Sequence, residues 1–286
     1  MTHFLLTETM MANGHLKEKR RNWLMDQRIV DCETSYYQCF AQTTETADVL
    51  RLRDPLLQDM YYHNISIMKA SADTTAISGI VERERAVRLG EKAGFLNILS
   101  FRAVDDSLII EVYPEASLSL NGYYQLDISF LPLWKVRPGC TIERISSQAM
   151  VEDALYSDLQ LDGERLGRDF CTRRVYRRSK VYMADEGVDS YNCYDNGQMV
   201  GNCDLFIHKG VAKIEDFTII PQYQRQGYGT TILKYLVQKA LDAQCHIIYL
   251  VTDEDDTPKQ MYTKLGFYKI GERTDMFFDL TDHTVG

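Results

Sequence analysis

The sequence lacks most of the features that assign a chain quickly. It has only 6 prolines and 17 glycines in 286 residues, without a period, so collagen-like and low-complexity architectures are excluded. No stretch approaches the roughly 18 uninterrupted apolar residues of a membrane helix, and no membrane partner is expected. After Phe4-Leu5-Leu6 the N-terminus turns polar at once, which is not the pattern of an export signal. The seven cysteines (Cys32, Cys39, Cys140, Cys171, Cys193, Cys203 and Cys245) are odd in number and include no Cys-x-x-Cys pair. Neither a disulfide framework nor a zinc site is expected from them; reduced thiols in a cytoplasmic protein are. Positive charge is also short: 32 Lys and Arg against 41 Asp and Glu give a net −9. Binding to nucleic acid runs on excess Lys and Arg, so that partner is not expected either.

What is present is a globular composition, 45% hydrophobic and 26% charged, in a chain long enough for two domains. Pro138-Gly139 marks a turn, and Thr141-Ile142-Glu143-Arg144-Ile145 then alternates like a fresh edge strand. The expected division is an N-terminal α/β domain over 1–138 and a second domain over 139–286. In the first, residues 77–92 read as a helix ended by Gly94. Strands are expected over 95–104 and 108–113, joined at Asp105-Asp106, and over 123–131 after Asn121-Gly122.

The second half is more regular. Helices are expected over 147–156 and 162–178. Strands over 191–194 and 198–207 flank Asn196-Gly197, a type I′ hairpin signal because both central residues need positive φ. His208-Lys209-Gly210 turns the chain into a strand over 211–220. In 229–243, Ile232, Leu233, Leu236, Val237, Ala240 and Leu241 form one helical stripe. Ile247-Ile248-Tyr249-Leu250-Val251 suits a strand covered on both faces. Thr257-Pro258-Lys259-Gln260 has the form of a capping box opening a helix that Gly266 ends, and strands over 267–270 and 276–280 follow. The fold class is mixed α/β (α+β): a central mixed sheet flanked by helices.

The chemistry-bearing segment is Gln224-Arg225-Gln226-Gly227-Tyr228-Gly229-Thr230, where a strand turns into the long amphipathic helix. The first amides of a helix have no intrahelical partner, and its dipole adds about half a positive charge, so the turn suits an anion. It lacks the Gly-Lys-Ser/Thr of a P-loop and the Gly-x-Gly-x-x-Gly of a dinucleotide fold.

Gln-x-x-Gly-x-Gly after an apolar strand, followed by Met261-Tyr262-Thr263-Lys264-Leu265-Gly266-Phe267, resembles the GNAT superfamily of acyl-CoA-dependent N-acetyltransferases. The resemblance covers 141–286. It implies acetyl-CoA as co-substrate and direct attack by a primary amine, with no metal. It places the coenzyme pyrophosphate on the backbone amides of Gln224, Arg225, Gln226, Gly227, Tyr228 and Gly229, with Thr230 as an extra donor. Ile219 falls where relatives use strand backbone to hold the acetyl carbonyl and pantetheine arm. Tyr262 matches the tyrosine that protonates the departing thiolate, a step within reach of a phenol of pKa ~10. Packing on the sheet is its plain alternative.

Glu215, on a strand face shared with Ile219 by period-two spacing, is the candidate base, with Asp216 facing away; solvation alone is the other reading. Where relatives carry an Asn for the pantetheine arm, this chain has Asp253-Glu254-Asp255-Asp256, and a carboxylate cannot donate that hydrogen bond. The tract favours a small cationic amine as acceptor. Arg165, Arg168, Arg173, Arg174, Arg177, Arg178 and Lys180 read either as a docking site for an acidic group or as an exposed helix face. Leu89-Gly90-Glu91-Lys92-Ala93-Gly94-Phe95 resembles the Leu265-Gly266-Phe267 ending, so the first half is a candidate degenerate copy of the same fold. Arg53-Asp54-Pro55 and Asp59-Met60-Tyr61-Tyr62-His63-Asn64 have the polarity of a site. Sheet edges in this fold class often pair, which makes a homodimer an expected assembly. A non-catalytic acyl-CoA sensor or scaffold is the alternative to an enzyme.

Overall fold

The computed structural model describes residues 25–69, 77–102, 104, 106–184, 187–254 and 258–281. The first half comprises α1 (Gln27–Gln38), β1 (Gln42–Glu45), β2 (Val49–Arg53), β3 (Ser66–Met68), α2 (Ile77–Gly90), β4 (Phe95–Ser100), α3 (Asp106–Val112) and β5 (Ser117–Leu126). The second comprises β6 (Cys140–Arg144), α4 (Gln148–Asp162), α5 (Arg168–Tyr182), β7 (Asp189–Asp195), β8 (Gln198–His208), β9 (Val211–Ile219), α6 (Tyr228–Asp242), β10 (Ile247–Asp253), α7 (Pro258–Lys264) and β11 (Phe267–Asp279). The mixed sheet with flanking helices is as expected, and Asn196 and Gly197 do turn the β7–β8 hairpin with φ of 50° and 77°.

Four local expectations fail, each for a physical reason. The expected strand over 108–113 lies in α3, of which only Ile109 is buried; a short apolar run does not distinguish strand from helix. Asn121-Gly122 sits inside β5 rather than before it, and 128–133 form a 3₁₀ turn. Asp162 closes α4 instead of opening the next helix. The two final strands are one, β11, bent by an irregularity between Lys269 and Gly271. Asp105 and Thr257, assigned to a turn and a cap, lie outside the described residues.

All strands join one sheet in the order β1-β2-β3-β4-β11-β5-β10-β9-β8-β7-β6. Antiparallel pairings, two in the first half and three in the second, lead in each to a parallel pair bridged by a helix: β3 with β4 across α2, and β9 with β10 across α6. Beyond each pair lies the last strand of the other half. β5 runs antiparallel to β10, β11 runs antiparallel to β4, and β5 and β11 pair together over ten residues at the centre. The turn at Pro138-Gly139 therefore divides the chain but not the sheet. The apolar stripe of α6 packs Ile232, Leu233, Leu236, Val237 and Ala240 fully under cover against β7–β10. Burying five such side chains contributes on the order of 10 kcal/mol before conformational entropy is set against it. The opposite face holds a core shared by α1, α4, α5 and strands of both halves. Among the described residues no helix is long and apolar enough to cross a membrane.

Candidate functional site

β9 and β10 pair only over Val211–Ile214 with Ile247–Leu250. Beyond that point β9 follows β8 and β10 follows β5, so a notch opens between them. A β-bulge sits at its start: Glu215 pairs with Asp204 and Thr218 with Asn202, leaving Asp216 and Phe217 opposite Cys203 alone. Asp216 takes φ of 54° to achieve this. The bulge breaks the period-two count. Ile214, Phe217 and Ile219 all join the core under α6, whereas Lys213 and Glu215 pair with each other beside Glu33 of α1, and Asp216 pairs with Arg178 of α5. Glu215 thus does not share a face with Ile219, and Asp216 does not face away from Glu215.

The turn from β9 into α6 crosses the mouth of the notch. Arg225 and Gly227 both have positive φ, 62° and 90°. Thr231 is the first amide to bond to a backbone carbonyl, that of Gly227 (3.2 Å); among the described residues the amides from Arg225 to Thr230 bond to none. Such a run of amides with left-handed residues is a concave anion-binding surface. The two glycines act differently. Gly227 supplies the left-handed cap, while a Cβ on Gly229 would stand 3.1 Å from the Phe217 ring. The side chains fix the turn rather than fill it. Gln224 Nε2 donates to the Ile219 carbonyl (3.1 Å), and Gln226 Nε2 to that of Gln222 (2.9 Å). The Tyr228 hydroxyl donates to Asp195, which pushes it up to about 12 and keeps it protonated. Its ring lies 4.5 Å from the Arg137 guanidinium, and the Arg137 amide donates to Thr231 Oγ1 (2.8 Å).

Tyr262, on α7, is buried in the core under α6, edge-on to Phe267 with ring centroids 5.9 Å apart. It and Glu215 therefore occupy opposite faces of the sheet. Of the acidic tract, Asp255 and Asp256 lie outside the described residues. Glu254 is no open rim: it accepts from Tyr124 Oη (2.9 Å), Lys259 (3.1 Å) and Lys269 (3.1 Å). Burial opposes its ionisation, but these donors outweigh it and hold the carboxyl below the usual range.

Of the basic stretch, Arg165, Arg168, Arg173 and Lys180 are exposed, as a helix face would be, whereas Arg174, Arg177 and Arg178 turn inward onto carboxylates. Arg173 pairs with Asp59 (2.7 Å), Arg177 with Asp54 (2.9 Å), Arg174 with Asp158 and Asp162, and Arg178 with Asp204 and Asp216 (2.8 Å each). Residues 54–64 are the other side of this seam. Asp54 is fully buried, and burial raises its proton affinity, but His63 and Arg177 overcome that and keep it a carboxylate. Burial also lowers His63, so the neutral ring donates Nδ1–H to Asp54 (2.9 Å).

The reading from sequence missed a second buried set, Glu33, Lys213, Arg273 and Asp275. Its signal was a charge set within apolar strand patterns, as in Val211-Ala212-Lys213-Ile214. Among the described residues no group of three or more His, Cys, Asp or Glu is placed to hold a metal.

A mixed sheet whose parallel pair splays beside a glycine turn is the architecture of an acetyltransferase fold. Residues 153–267 match the model of the acetyltransferase (GNAT) family, so the similarity to that family lies within the C-terminal half of the chain. The chain is 30% identical over 141 residues to the uncharacterized N-acetyltransferase CgeE of Bacillus subtilis (strain 168), a match covering 48% of this chain and 54% of that protein, about half its length. Two solved structures share the fold across most of both chains. A functionally unknown conserved protein from Staphylococcus epidermidis ATCC 12228 superimposes with a TM-score of 0.70 at 19% identity, over 84% of this chain and 94% of that one. A GCN5-related N-acetyltransferase from Kribbella flavida gives 0.64 at 14% identity, over 88% and 94%.

Proposed function

We propose that this protein transfers an acetyl group from acetyl-CoA to the primary amine of a small molecule. The observation that carries the reading is the unpaired amide run from Arg225 to Thr230 at the mouth of the β9–β10 notch. That surface fits a pyrophosphate, held by the amides of Arg225 to Gly229 with Thr230 beside them, while the Gln224 amide is taken by the Pro221 carbonyl (3.2 Å); the unpaired edge of β9 toward Ile219 fits the pantetheine arm. The coenzyme supplies an activated thioester carbon. The amine nitrogen bonds to that carbon as the carbon–sulfur bond breaks. Glu215 takes the proton released from nitrogen, and Tyr262 gives its hydroxyl proton to the thiolate; both groups then return to their starting states through solvent.

The walls of the acceptor side support a small amine. α1 and residues 54–64 cover this face and leave the Glu215 side chain 33% exposed, an opening better suited to a metabolite than to a protein surface. The first half reads as a degenerate copy of the same repeat whose matching segment, residues 69–76, contains no glycine, so one coenzyme binds per chain.

The test is a panel of amines with acetyl-CoA, following thiol release, beside calorimetric titration with coenzyme A. Turnover of one class of amine at a stoichiometry of one supports the reading. Binding without turnover on any amine supports a sensor or scaffold instead. A tight ligand at a hundredfold excess over its Kd stabilises by about 2.7 kcal/mol, so an unchanged melting temperature would remove both readings.

A further inference from the structure

Glu215 is the first residue of β9 beyond its pairing with β10, which places it at the floor of the notch. Its Oε2 accepts from Lys213 Nζ at 2.9 Å, while Oε1 bonds to no described residue. Lys213 is 1% exposed, and its ammonium reaches in the other direction to Glu33 Oε1 at 2.7 Å. Glu33 comes from α1 in the other half of the chain. It also accepts from Tyr249 Oη (2.8 Å), Tyr123 Oη (3.1 Å) and Arg273 Nη1 (3.3 Å), donors on three neighbouring strands. The Tyr36 and Tyr37 rings lie 4.3 and 5.1 Å from Lys213 Nζ and close the cage.

We infer that Glu33 and Lys213 are positioning residues for Glu215: Lys213 fixes the carboxylate with one oxygen toward the notch, and Glu33 offsets the lysine charge so that Glu215 can still accept a proton. Without Glu33, the ammonium would be neutralised by Glu215 alone, and the bound carboxylate would be a weaker proton acceptor. Without Lys213, Glu215 would be a stronger acceptor but would lose its orientation. The N-terminal half thus acts on the chemistry through one buried carboxylate. This inference rests on the reading of Glu215 as the base.

The charges around the triad favour this division of labour. Burial opposes ionisation of Glu33, but Lys213 and Arg273 outweigh it and hold it below the usual carboxylate range. Burial opposes the charge on Lys213 too, and Glu215 and Glu33 raise it well above its ordinary value. The other groups facing Glu215 are Tyr36 and Tyr37 of α1, Tyr62 beside Asp275 and Arg273 of β11, Arg178 of α5, Asp204 and Cys203 of β8, and Asp216 of β9. None of them is altered by the variants below.

The experiment measures kcat/KM against pH for E33Q, K213M and E215Q in the full chain, with an amine that the panel shows to be acetylated. E215Q is expected to lower kcat roughly 100-fold or more and to abolish the acid limb. E33Q is expected to move that limb down, and K213M up, each by about one pH unit. A stability defect alone would lower amplitude without moving the limbs in opposite directions. Limbs that stay in place, or shift together, overturn the inference. If K213M does not fold, K213R restores the wild-type limb and E33Q alone decides. In ¹³Cδ-glutamate NMR, which needs no acceptor, the resonance missing from E215Q should titrate at lower pH in E33Q; an unmoved midpoint overturns the inference. Coenzyme A binding is followed in parallel. Its loss in the parent protein would sink the acetyltransferase reading itself, whereas normal binding with unmoved limbs would sink only the role of Glu33 and Lys213.

Discussion

Both halves of this chain run from an antiparallel meander into a strand–helix–strand unit, with β6 and a second leading helix described only in the second half, and they differ at the connection into the helix of that unit. β9 reaches α6 through a bulge and a turn holding Gly227 and Gly229, and the amides there face outward unpaired. The counterpart between β3 and α2 is Lys69-Ala70-Ser71-Ala72-Asp73-Thr74-Thr75-Ala76, equally long but without glycine. The repeated order of strands therefore did not carry the two glycines of the turn with it. What the first half contributes is β5 in the sheet beside β10, Asp54 and Asp59 on α5, and Glu33 behind Lys213.

The strongest way to break this comparison is to separate the halves. Residues 139–286 alone lack β5, so β10 and β11 lose the strand between them; the fragment is expected to show no cooperative melting by circular dichroism. A cooperative transition in the fragment would show that the exchange is dispensable. Next in size is the cradle. Gly229→Val puts a branched side chain against Phe217 and the helix start, and coenzyme A affinity by calorimetry is expected to fall at least about tenfold, a loss of ~1.4 kcal/mol or more. Enlarging Ala76, at the matching connection of the first half, should leave it unchanged.

The seam between halves is expected to respond in the same range. Arg177→Ala leaves the buried Asp54 carboxylate with its His63 bond but without its cation, and should cost about 3 kcal/mol in chemical denaturation. The smallest effect is in pH. Glu33, Asp54, Asp59 and Glu254 are all held below the ordinary carboxylate range in the folded chain. The unfolded chain therefore takes up protons first, and stability present above about pH 4 is lost as pH falls through the folded values. Melting temperature against pH should decline in that window, less steeply for the Asp59→Asn variant because its pair with Arg173 is half-exposed.

The fold was legible where local physics decides it. Asn196-Gly197 set a hairpin because its backbone needs positive φ, and the α6 stripe set a helix because its apolar residues fall on one face. The glycine turn was legible as a turn for the same reason, with Gly227 at positive φ. Glu215 shows where such reasoning stops. Its face was counted by alternation, and one extra residue in β9 reversed the count; a bulge is set by pairing with β8, which the strand's own residues do not display. The inward turn of Arg177 was not legible because its partner, Asp54, lies more than a hundred residues away, as does Asp59, the second partner of Arg173 beside the nearby Asp169. Leu89 to Phe95 looked like a copy of Leu265 to Phe267, yet it joins α2 to β4 and so corresponds to the connection from α6 to β10.

By itself the sequence determined the β7–β8 hairpin, the α6 helix and the glycine turn, because each depends on backbone conformation within a few residues. Only the tertiary structure decided that β5 and β11 change places, that the bulge turns Glu215 toward α1, and that Glu33 stands behind Lys213. Those contacts join residues up to 240 positions apart, as between Glu33 and Arg273. They are stabilised by burial and charge pairing across the sheet, and no local pattern of residues encodes which distant partner will be met.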